Sequence, residues 1–294
     1  MQSSSFTKII APIAFILLWG SSALFLKDAL SYDDAVVFLF FRFLLVFAVV
    51  APIYFMSRKK FPALSHSQML KMLQTGILLQ FGYQFFCAMS LRTNMSPGLM
   101  GIILALQPIT TILLIREKRA PLQWLGLALG FIGLILIIYR SLFIGKIMFS
   151  GMLYAFIALA CITLGTLSQK KYCSNIPLTQ NLMFQFTSSL ILASLFFLIY
   201  SPHVYLSESF LMATGWMAIV VTVSANYILY HLLKTGSAGT ISSYFYFVPF
   251  VTVLFDYLIF HHKLPLISIF GMLLIVIGVY MLNNSRLKEG AQEA

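Results

Sequence analysis

Charged residues are scarce in this sequence. Asp, Glu, Lys and Arg together make up 9% of its 294 residues, whereas 60% are hydrophobic, and the mean hydropathy is +0.94. A soluble domain carries about 25% charged residues, so this composition cannot supply a water-exposed surface. The chain is therefore predicted to lie within a lipid bilayer.

Several chemistries lack the residues that they need. The cysteines Cys87, Cys161 and Cys173 follow no disulfide or zinc-ligand spacing. The sequence has no P-loop, no GxGxxG after a strand and no HExxH motif. Acidic residues are also few, and no nucleophile is paired with a base in an arrangement typical of a catalytic site. We therefore predict no cofactor, no metal and no enzymatic activity.

Long apolar runs fill most of the chain. Each approaches the ~20 residues that a helix needs to cross the hydrocarbon core. The ten runs lie at roughly 9–26, 34–56, 70–91, 97–115, 121–139, 147–169, 178–200, 210–233, 238–260 and 264–282. They predict an all-α polytopic membrane protein with ten transmembrane helices.

The basic residues are distributed unevenly between the two sides of this arrangement. With the N-terminus inside, thirteen Lys and Arg residues fall on the inner side and five on the outer side, and Arg42 remains within the membrane. This bias predicts that both termini are cytoplasmic. The net charge of +11 then indicates orientation in the bilayer and attraction to anionic lipid, and no nucleic-acid partner is predicted.

The sequence contains the same unit twice. Phe41-Arg42-Phe43 recurs as Phe184-Gln185-Phe186 and Lys27 as Lys170, both 143 residues later, while Pro108 returns as Pro249. We predict a first five-helix repeat at 1–145, a second at 146–285 and a tail at 286–294. An odd number of spans in each copy inverts the second copy, and inverted repeats build secondary transporters with the substrate site between the halves.

Polar side chains recur along several predicted spans at helical spacing. Such stripes mark faces turned away from lipid, although hydrogen bonding between helices is the favoured explanation for a single Ser or Thr. Spans five and ten carry glycines instead, which predicts close helix packing at the periphery and leaves homodimerisation open. The predicted substrate-binding residues are Arg42, Gln80, Tyr83, Gln84, Asn181, Gln185, Tyr227, Tyr230 and Tyr246.

Arg42 lies eight residues into span two, about 12 Å from its outer end. A lipid-facing arginine at that depth would cost several kcal/mol, so we expect it to face the interior. Two roles remain open. Its guanidinium could bind a substrate carboxylate with bidentate geometry, or it could be structural and pair with Asp256 or helix carbonyls.

The sequence leaves two energy sources for transport open. A proton mechanism needs a titratable group, and His231 and Asp256 are the candidates within spans. A facilitative uniporter remains equally open. The helix ends freed at Pro108 and Pro249 are the predicted positions of bending.

Several motifs resemble a known family. They include Trp19-Gly20-Ser21, Arg42-Phe43, the segment from Arg116 to Gly126, and Lys170-Lys171. With their duplication, these motifs resemble the ten-span, EamA-type members of the drug/metabolite transporter superfamily, over residues 9–282. The resemblance implies a gating or structural role for Glu117, whose counterpart in the second copy is His262.

The resemblance implies a permease in a bacterial inner membrane. We expect it to move a small metabolite, such as an amino acid, by alternating access, with efflux as the expected direction. Uptake by the same architecture, or a polytopic membrane protein without transport activity, remains the alternative.

Overall fold

The computed structural model describes residues 10–32, 34–93, 95–115, 121–143, 149–235, 247–261 and 265–290. Within these ranges all regular structure is helical. The α-helices are α1 Ala11–Tyr32, α2 Ala35–Ser57, α3 His66–Gly76, α4 Tyr83–Arg92, α5 Pro97–Leu104, α6 Gln107–Ile115, α7 Pro121–Phe143, α8 Phe149–Ser168, α9 Leu178–Tyr200, α10 Glu208–Gly215, α11 Ala225–Thr235, α12 Val248–Phe260 and α13 Leu266–Gly290. The predicted all-α class is confirmed for this part of the chain.

Membrane-spanning character is clearest in five of the described helices. They are long and apolar enough to cross a bilayer, and they cover Ala11–Ser31, Ala35–Lys60, Phe149–Cys173, Leu178–Tyr200 and Glu208–Leu229. Shorter apolar helical stretches cover Pro97–Thr111, Trp124–Gly133, Phe250–Phe260 and Leu266–Gly278. These helices place the protein in the membrane class that its composition predicts.

Local sequence explains where several helices begin. Asp34 accepts a hydrogen bond from the Val36 N–H at 3.0 Å and caps α2. Ser65 and Gln68 form a reciprocal capping box at the start of α3, and Ser96 caps α5 immediately before Pro97. Each side-chain oxygen satisfies a backbone N–H that the helix itself leaves without a partner.

Three π-helical segments interrupt the α-helices. Ile77–Gly82 joins α3 to α4, Gln169–Cys173 extends α8, and Trp216–Ser224 joins α10 to α11. The first and third begin 139 residues apart and end 142 residues apart, close to the spacing of the sequence repeat. The two copies thus share an irregularity in their backbone, one that apolar periodicity did not predict. Such segments are frequent at functional sites.

Packing at the centre of the protein also follows the repeat. Helices α2 and α9, which carry the repeated Phe-x-Phe segments, pack against each other. Phe43 and Phe186 occupy equivalent positions in the two copies, and their ring centroids lie 6.0 Å apart. Both side chains are fully buried. Aromatic rings at this separation attract each other beyond the effect of burial alone.

Helices α7 and α13 pack mainly against each other, as predicted for spans five and ten. A Cβ atom added to Gly133 would lie 2.4 Å from the Gly271 carbonyl oxygen, and one added to Gly278 would lie 2.4 Å from the Gly126 carbonyl oxygen. The glycines therefore permit direct contact between backbones. Their role in helix packing and the peripheral position of the pair are confirmed.

Two details differ from the predicted spans. Helix α1 continues to Tyr32, beyond the predicted end of the first run at residue 26, so Lys27 lies within the helix. Span four is divided into α5 and α6, and the interruption at Ala105 and Leu106 directly precedes Gln107 and Pro108. This break lies where proline was predicted to disturb the helix, because Pro108 has no N–H to donate to the carbonyl oxygen of Leu104, four residues earlier.

Candidate functional site

Arg42 lies at the joint between the two copies and is 3% exposed. Its Nη1 donates a hydrogen bond to Gln84 Oε1 at 2.7 Å, and its Nη2 donates to Thr222 Oγ1 at 2.8 Å. The guanidinium carbon lies 5.8 Å from the centroid of the Phe38 ring. We call Arg42, Gln84 and Thr222 the Arg42 cluster. The expectation that Arg42 faces the protein interior is confirmed by these contacts.

Thr222 owes its position to the π-helical segment of Trp216–Ser224. Its hydroxyl donates to the carbonyl oxygen of Met217, five residues earlier, at 2.7 Å, while it accepts from Arg42. The hydroxyl proton is thereby directed away from the guanidinium, and an oxygen lone pair faces it. Thr222 was not among the predicted site residues, because an isolated threonine in an apolar segment gives no distinguishing signal.

A second polar group consists of four side-chain amides. Gln80 Nε2 donates to Gln185 Oε1 at 3.1 Å, and Gln185 Nε2 donates to Asn181 Oδ1 at 2.9 Å and also to Gln169 Oε1. We call Gln80, Gln169, Asn181 and Gln185 the amide cluster. It joins the π-helical segment after α3 to α9 and to the extension of α8. Three of its members were predicted, and Gln169 was missed because it lies at the end of its span.

The two clusters are related by the sequence repeat. Arg42 and Gln185 occupy equivalent positions, and Gln80 and Gln84 are four residues apart, about one helical turn. Each of the two equivalent side chains bonds to the rod formed by α3, its π-helical segment and α4. The structure therefore brings together the polar residues of spans two, three and seven, as the stripes predicted.

The predicted tyrosines fall in different places. Tyr83 lies close enough to Arg42 to interact with it electrostatically, as does Cys87. The Tyr227 hydroxyl lies 2.8 Å from Thr179 Oγ1, which connects α11 to α9. Tyr246 lies outside the described residues, and Tyr230 belongs to α11 with no description of its side chain.

Asp256 is fully buried, and the contacts described for it involve neither Gln84 nor Thr222 of the Arg42 cluster. Its Oδ2 accepts a hydrogen bond from the Gly98 N–H at 3.1 Å, at the start of α5. The Lys27 ammonium interacts electrostatically with this carboxylate and donates to the Leu91 carbonyl oxygen at 2.6 Å. The hydrogen bonds described for Arg42 go to Gln84 and Thr222, and none of them reaches Asp256.

For the other candidates for coupling and gating, the structure describes only part of the surroundings. His231 is exposed on α11. Glu117 lies outside the described residues, and the side chains of Pro108 and Pro249 are likewise not described. Pro249 lies in the first turn of α12, where a proline needs no hydrogen-bond partner. Among the described residues, no three His, Cys, Asp or Glu side chains are grouped as a metal site would require.

Outside the spans, Asp34 and Arg92 form a salt bridge between the start of α2 and the end of α4. Partial burial raises the pKa of the Asp34 carboxyl. The hydrogen bonds from the Val36 N–H and Arg92, together with the positive charge of Arg92, outweigh that effect and leave the pKa below its usual value. This contact holds the second and third spans together at one membrane face.

Comparisons with known proteins agree with this arrangement. An uncharacterized transporter YvbV of Bacillus subtilis is 26% identical over 95% of this chain and 91% of its own length. An uncharacterized transporter of Archaeoglobus fulgidus is 25% identical over 90% of this chain and 93% of its own. A probable amino-acid metabolite efflux pump of Salmonella typhimurium is 26% identical, but over 55% of this chain and 53% of its own.

A solved crystal structure shares the fold. It superposes with a TM-score of 0.65 at 19% sequence identity, over 95% of this chain and 98% of that one. The profile of the EamA-like transporter family matches residues 7–139 and again residues 149–284. The protein is therefore a multi-pass integral membrane transporter and not an enzyme, and in bacteria such proteins lie in the inner membrane. The chain belongs to the EamA-like transporter family.

Proposed function

We propose that the protein is a secondary permease that exports a small organic metabolite, such as an amino acid or a related compound, by alternating access. The supporting observation is the pair of polar clusters at the joint between the halves. Arg42 and Gln84 belong to the first copy and Thr222 to the second. A solute bound there would contact both halves, as alternating access requires.

The proposed topology has ten spans, divided into inverted repeats at 1–145 and 146–285, with both termini in the cytoplasm. The packing of the equivalent helices α2 with α9, and of α7 with α13, supports two related halves. The repeated π-helical segments support the same division. A single cysteine introduced into the 286–294 tail tests the orientation, since only a cytoplasmic tail is protected from an impermeant thiol reagent in intact cells.

Polar groups at this depth favour transport over a purely structural role. Gln80, Tyr83 and Gln84 are only partly buried, and Gln80 and Gln84 are members of the amide and Arg42 clusters. Polar side chains exposed to hydrocarbon would be costly. We therefore expect their exposed atoms to border an aqueous path for the solute.

Export is the direction favoured by the Salmonella relative, which is named as an efflux pump. The test is counterflow in proteoliposomes preloaded with one unlabelled metabolite at a time. Accumulation of the labelled metabolite that is absent from empty liposomes demonstrates the permease. In cells, a strain expressing the protein should hold less of that metabolite than a strain expressing Arg42→Gln, whereas a higher content would establish uptake. Counterflow absent for the whole metabolite set would contradict the proposal.

A further inference from the structure

We propose that the Arg42 cluster is the binding site for a carboxylate of the substrate, so that the permease selects carboxylic acids over their neutral analogues. This inference rests on the proposed function and adds the chemical class of the substrate and the residue that selects it. It follows from the charge balance around Arg42, from the hydrogen bonding of its guanidinium and from its place between the halves.

The first argument is the balance of charge. Both side chains that accept hydrogen bonds from Arg42, Gln84 and Thr222, are neutral. A buried cation is costly unless an anion compensates it. A structural arginine would be expected to have a carboxylate partner, and no such partner is among the described contacts of Arg42.

The acidic residues of the chain are few enough to examine individually. Among those with described side chains, Asp34 pairs with Arg92, and Asp256 accepts from Gly98 near Lys27. Asp28 and Glu208 lie near the ends of α1 and α10. The remaining acids of the sequence are Asp33, Glu117, Glu289 and Glu293. In the sequence these four lie between predicted spans or near the C-terminus, far from the depth of Arg42.

The second argument is the unfilled hydrogen bond of the guanidinium. Arg42 Nε is buried and has no hydrogen-bond partner, in a side chain that is 3% exposed. Buried donors are nearly always satisfied, because an unsatisfied one costs about 1–3 kcal/mol. A carboxylate supplies an acceptor for this N–H and the missing negative charge together, and it matches the planar fork of the guanidinium. A neutral carbonyl would supply only the acceptor.

The third argument is position. The amide cluster lies one helical turn away along the rod of α3 and α4, through Gln80. Its oxygen and nitrogen atoms can receive a second polar group of the same solute, such as an ammonium or a hydroxyl. The cluster pair therefore fits a small acid with one further polar group, whose carboxylate would bind Arg42 along the edge of Nε and Nη2 while Gln84 keeps Nη1.

A substitution that supplies the anion from within tests the charge argument without any substrate. Glu in place of Gln84 keeps the size of the side chain and places a carboxylate on Arg42 Nη1. We expect Gln84→Glu to raise the apparent melting temperature of the purified protein by about 4 °C and to abolish transport by neutralising the guanidinium that would attract the substrate carboxylate. Gln107→Glu is the matched control, since Gln107 donates to Thr166 at 2.9 Å, and we expect it to lower the melting temperature. If Gln84→Glu melts below the wild type or fails to fold, the charge of Arg42 is already balanced and the proposal is overturned.

A second measurement uses matched probes. L-leucine and L-phenylalanine are each compared with the corresponding amide, which lacks the carboxylate. A ligand that binds the folded protein raises the melting temperature of that protein by mass action. We expect stabilisation of the wild type by the acid, at least tenfold weaker binding of the amide, and loss of the difference in Arg42→Gln. Equal binding or equal counterflow of acid and amide overturns the carboxylate site but keeps the permease. If Gln84→Glu is stabilised but the wild type transports no metabolite, the anion site is supported and the permease function is refuted. If neither probe pair binds, the melting temperatures of Gln84→Glu and Gln107→Glu decide whether Arg42 lacks a compensating anion.

Discussion

Arg42 Nη2 donates a hydrogen bond to Thr222 Oγ1 at 2.8 Å, and the two residues are 180 positions apart in the sequence. The bond joins α2 of the first copy to the π-helical segment of the second. Since Gln84 holds the other end of the guanidinium, one side chain links three spans.

Thr222→Val should weaken both stability and transport. Valine keeps the shape of the side chain but removes the acceptor, which leaves a further N–H of a buried charged group unsatisfied. We expect a loss of about 1.5–3 kcal/mol in unfolding free energy, measured by thermal or denaturant unfolding in detergent, and slower counterflow. Thr222→Ser retains the hydroxyl and should remain within about 1 kcal/mol of the wild type. A valine variant as stable and active as the serine variant would show that this bond contributes nothing.

Gly76→Ala should disturb the contact between α3 and α9. A Cβ atom at this position would lie 2.4 Å from the Gln185 carbonyl oxygen and 2.4 Å from Ser188 Oγ. Backbone must move to accommodate it, at a cost of about 1–3 kcal/mol, and the shift would displace Gln185 from the amide cluster. We expect a lower melting temperature together with reduced counterflow.

The matched control is Gly215→Ala. Nothing lies within 4 Å of a Cβ atom added there, and Gly215 is within the continuous helical rod at the end of α10. Alanine is favoured over glycine inside a helix by about 0.5–1 kcal/mol. This variant should therefore be slightly more stable than the wild type. If Gly76→Ala and Gly215→Ala lost the same stability, the loss would be a general effect of the added methyl group.

The Asp34 salt bridge should give stability that depends on pH. The pKa of Asp34 is lowered in the folded protein, so its contribution is complete above the unfolded pKa of about 3.9 and declines as the pH falls through the lower folded value. We expect Asp34→Asn, which retains a good helix cap, to be less stable than the wild type at pH 7. Because both partners are substantially exposed, the difference should be below about 1 kcal/mol.

The measurement for this pair is the melting temperature of both proteins between pH 3 and pH 8. The difference should be constant from about pH 5 upward and decrease below about pH 4. Asp34→Ala removes the cap as well and should cost about 1 kcal/mol more at every pH. A difference between Asp34→Asn and the wild type that grows as the pH falls would contradict the assignment.

Asp256→Asn tests whether transport is coupled to protons. The asparagine oxygen can still accept from the Gly98 N–H, but the negative charge near Lys27 is lost. We expect the variant to retain counterflow. If an imposed pH gradient stimulates the wild type, the variant should lose that stimulation, because Asp256 is a buried acid at a contact between the two copies. His231→Gln, on an exposed position of α11, should respond to the gradient like the wild type. A pH-gradient response that survives in Asp256→Asn would exclude this carboxylate as the proton carrier.

Much of the architecture could be predicted from local patterns. Within the described residues, the apolar runs correspond to helices because a chain in hydrocarbon must satisfy its backbone hydrogen bonds within each segment. The glycines of α7 and α13 were predicted to be packing positions for a similar reason, since only small residues allow backbones to touch. The interior position of Arg42 followed from the cost of a charge in lipid. Each of these predictions depends on one segment and its solvent.

The sequence by itself determined that this protein lies in a membrane, that it contains two related halves, and that Arg42 and Gln185 face inward at equivalent positions. The tertiary structure decided which groups meet there. It placed Gln84 and Thr222 on the guanidinium, left Arg42 Nε without an acceptor, and moved Asp256 to a separate contact with Gly98. These pairings join residues that are 42 to 180 positions apart. They depend on how whole helices approach and on the π-helical turns that rotate their side chains, which no local pattern of apolar and polar residues specifies.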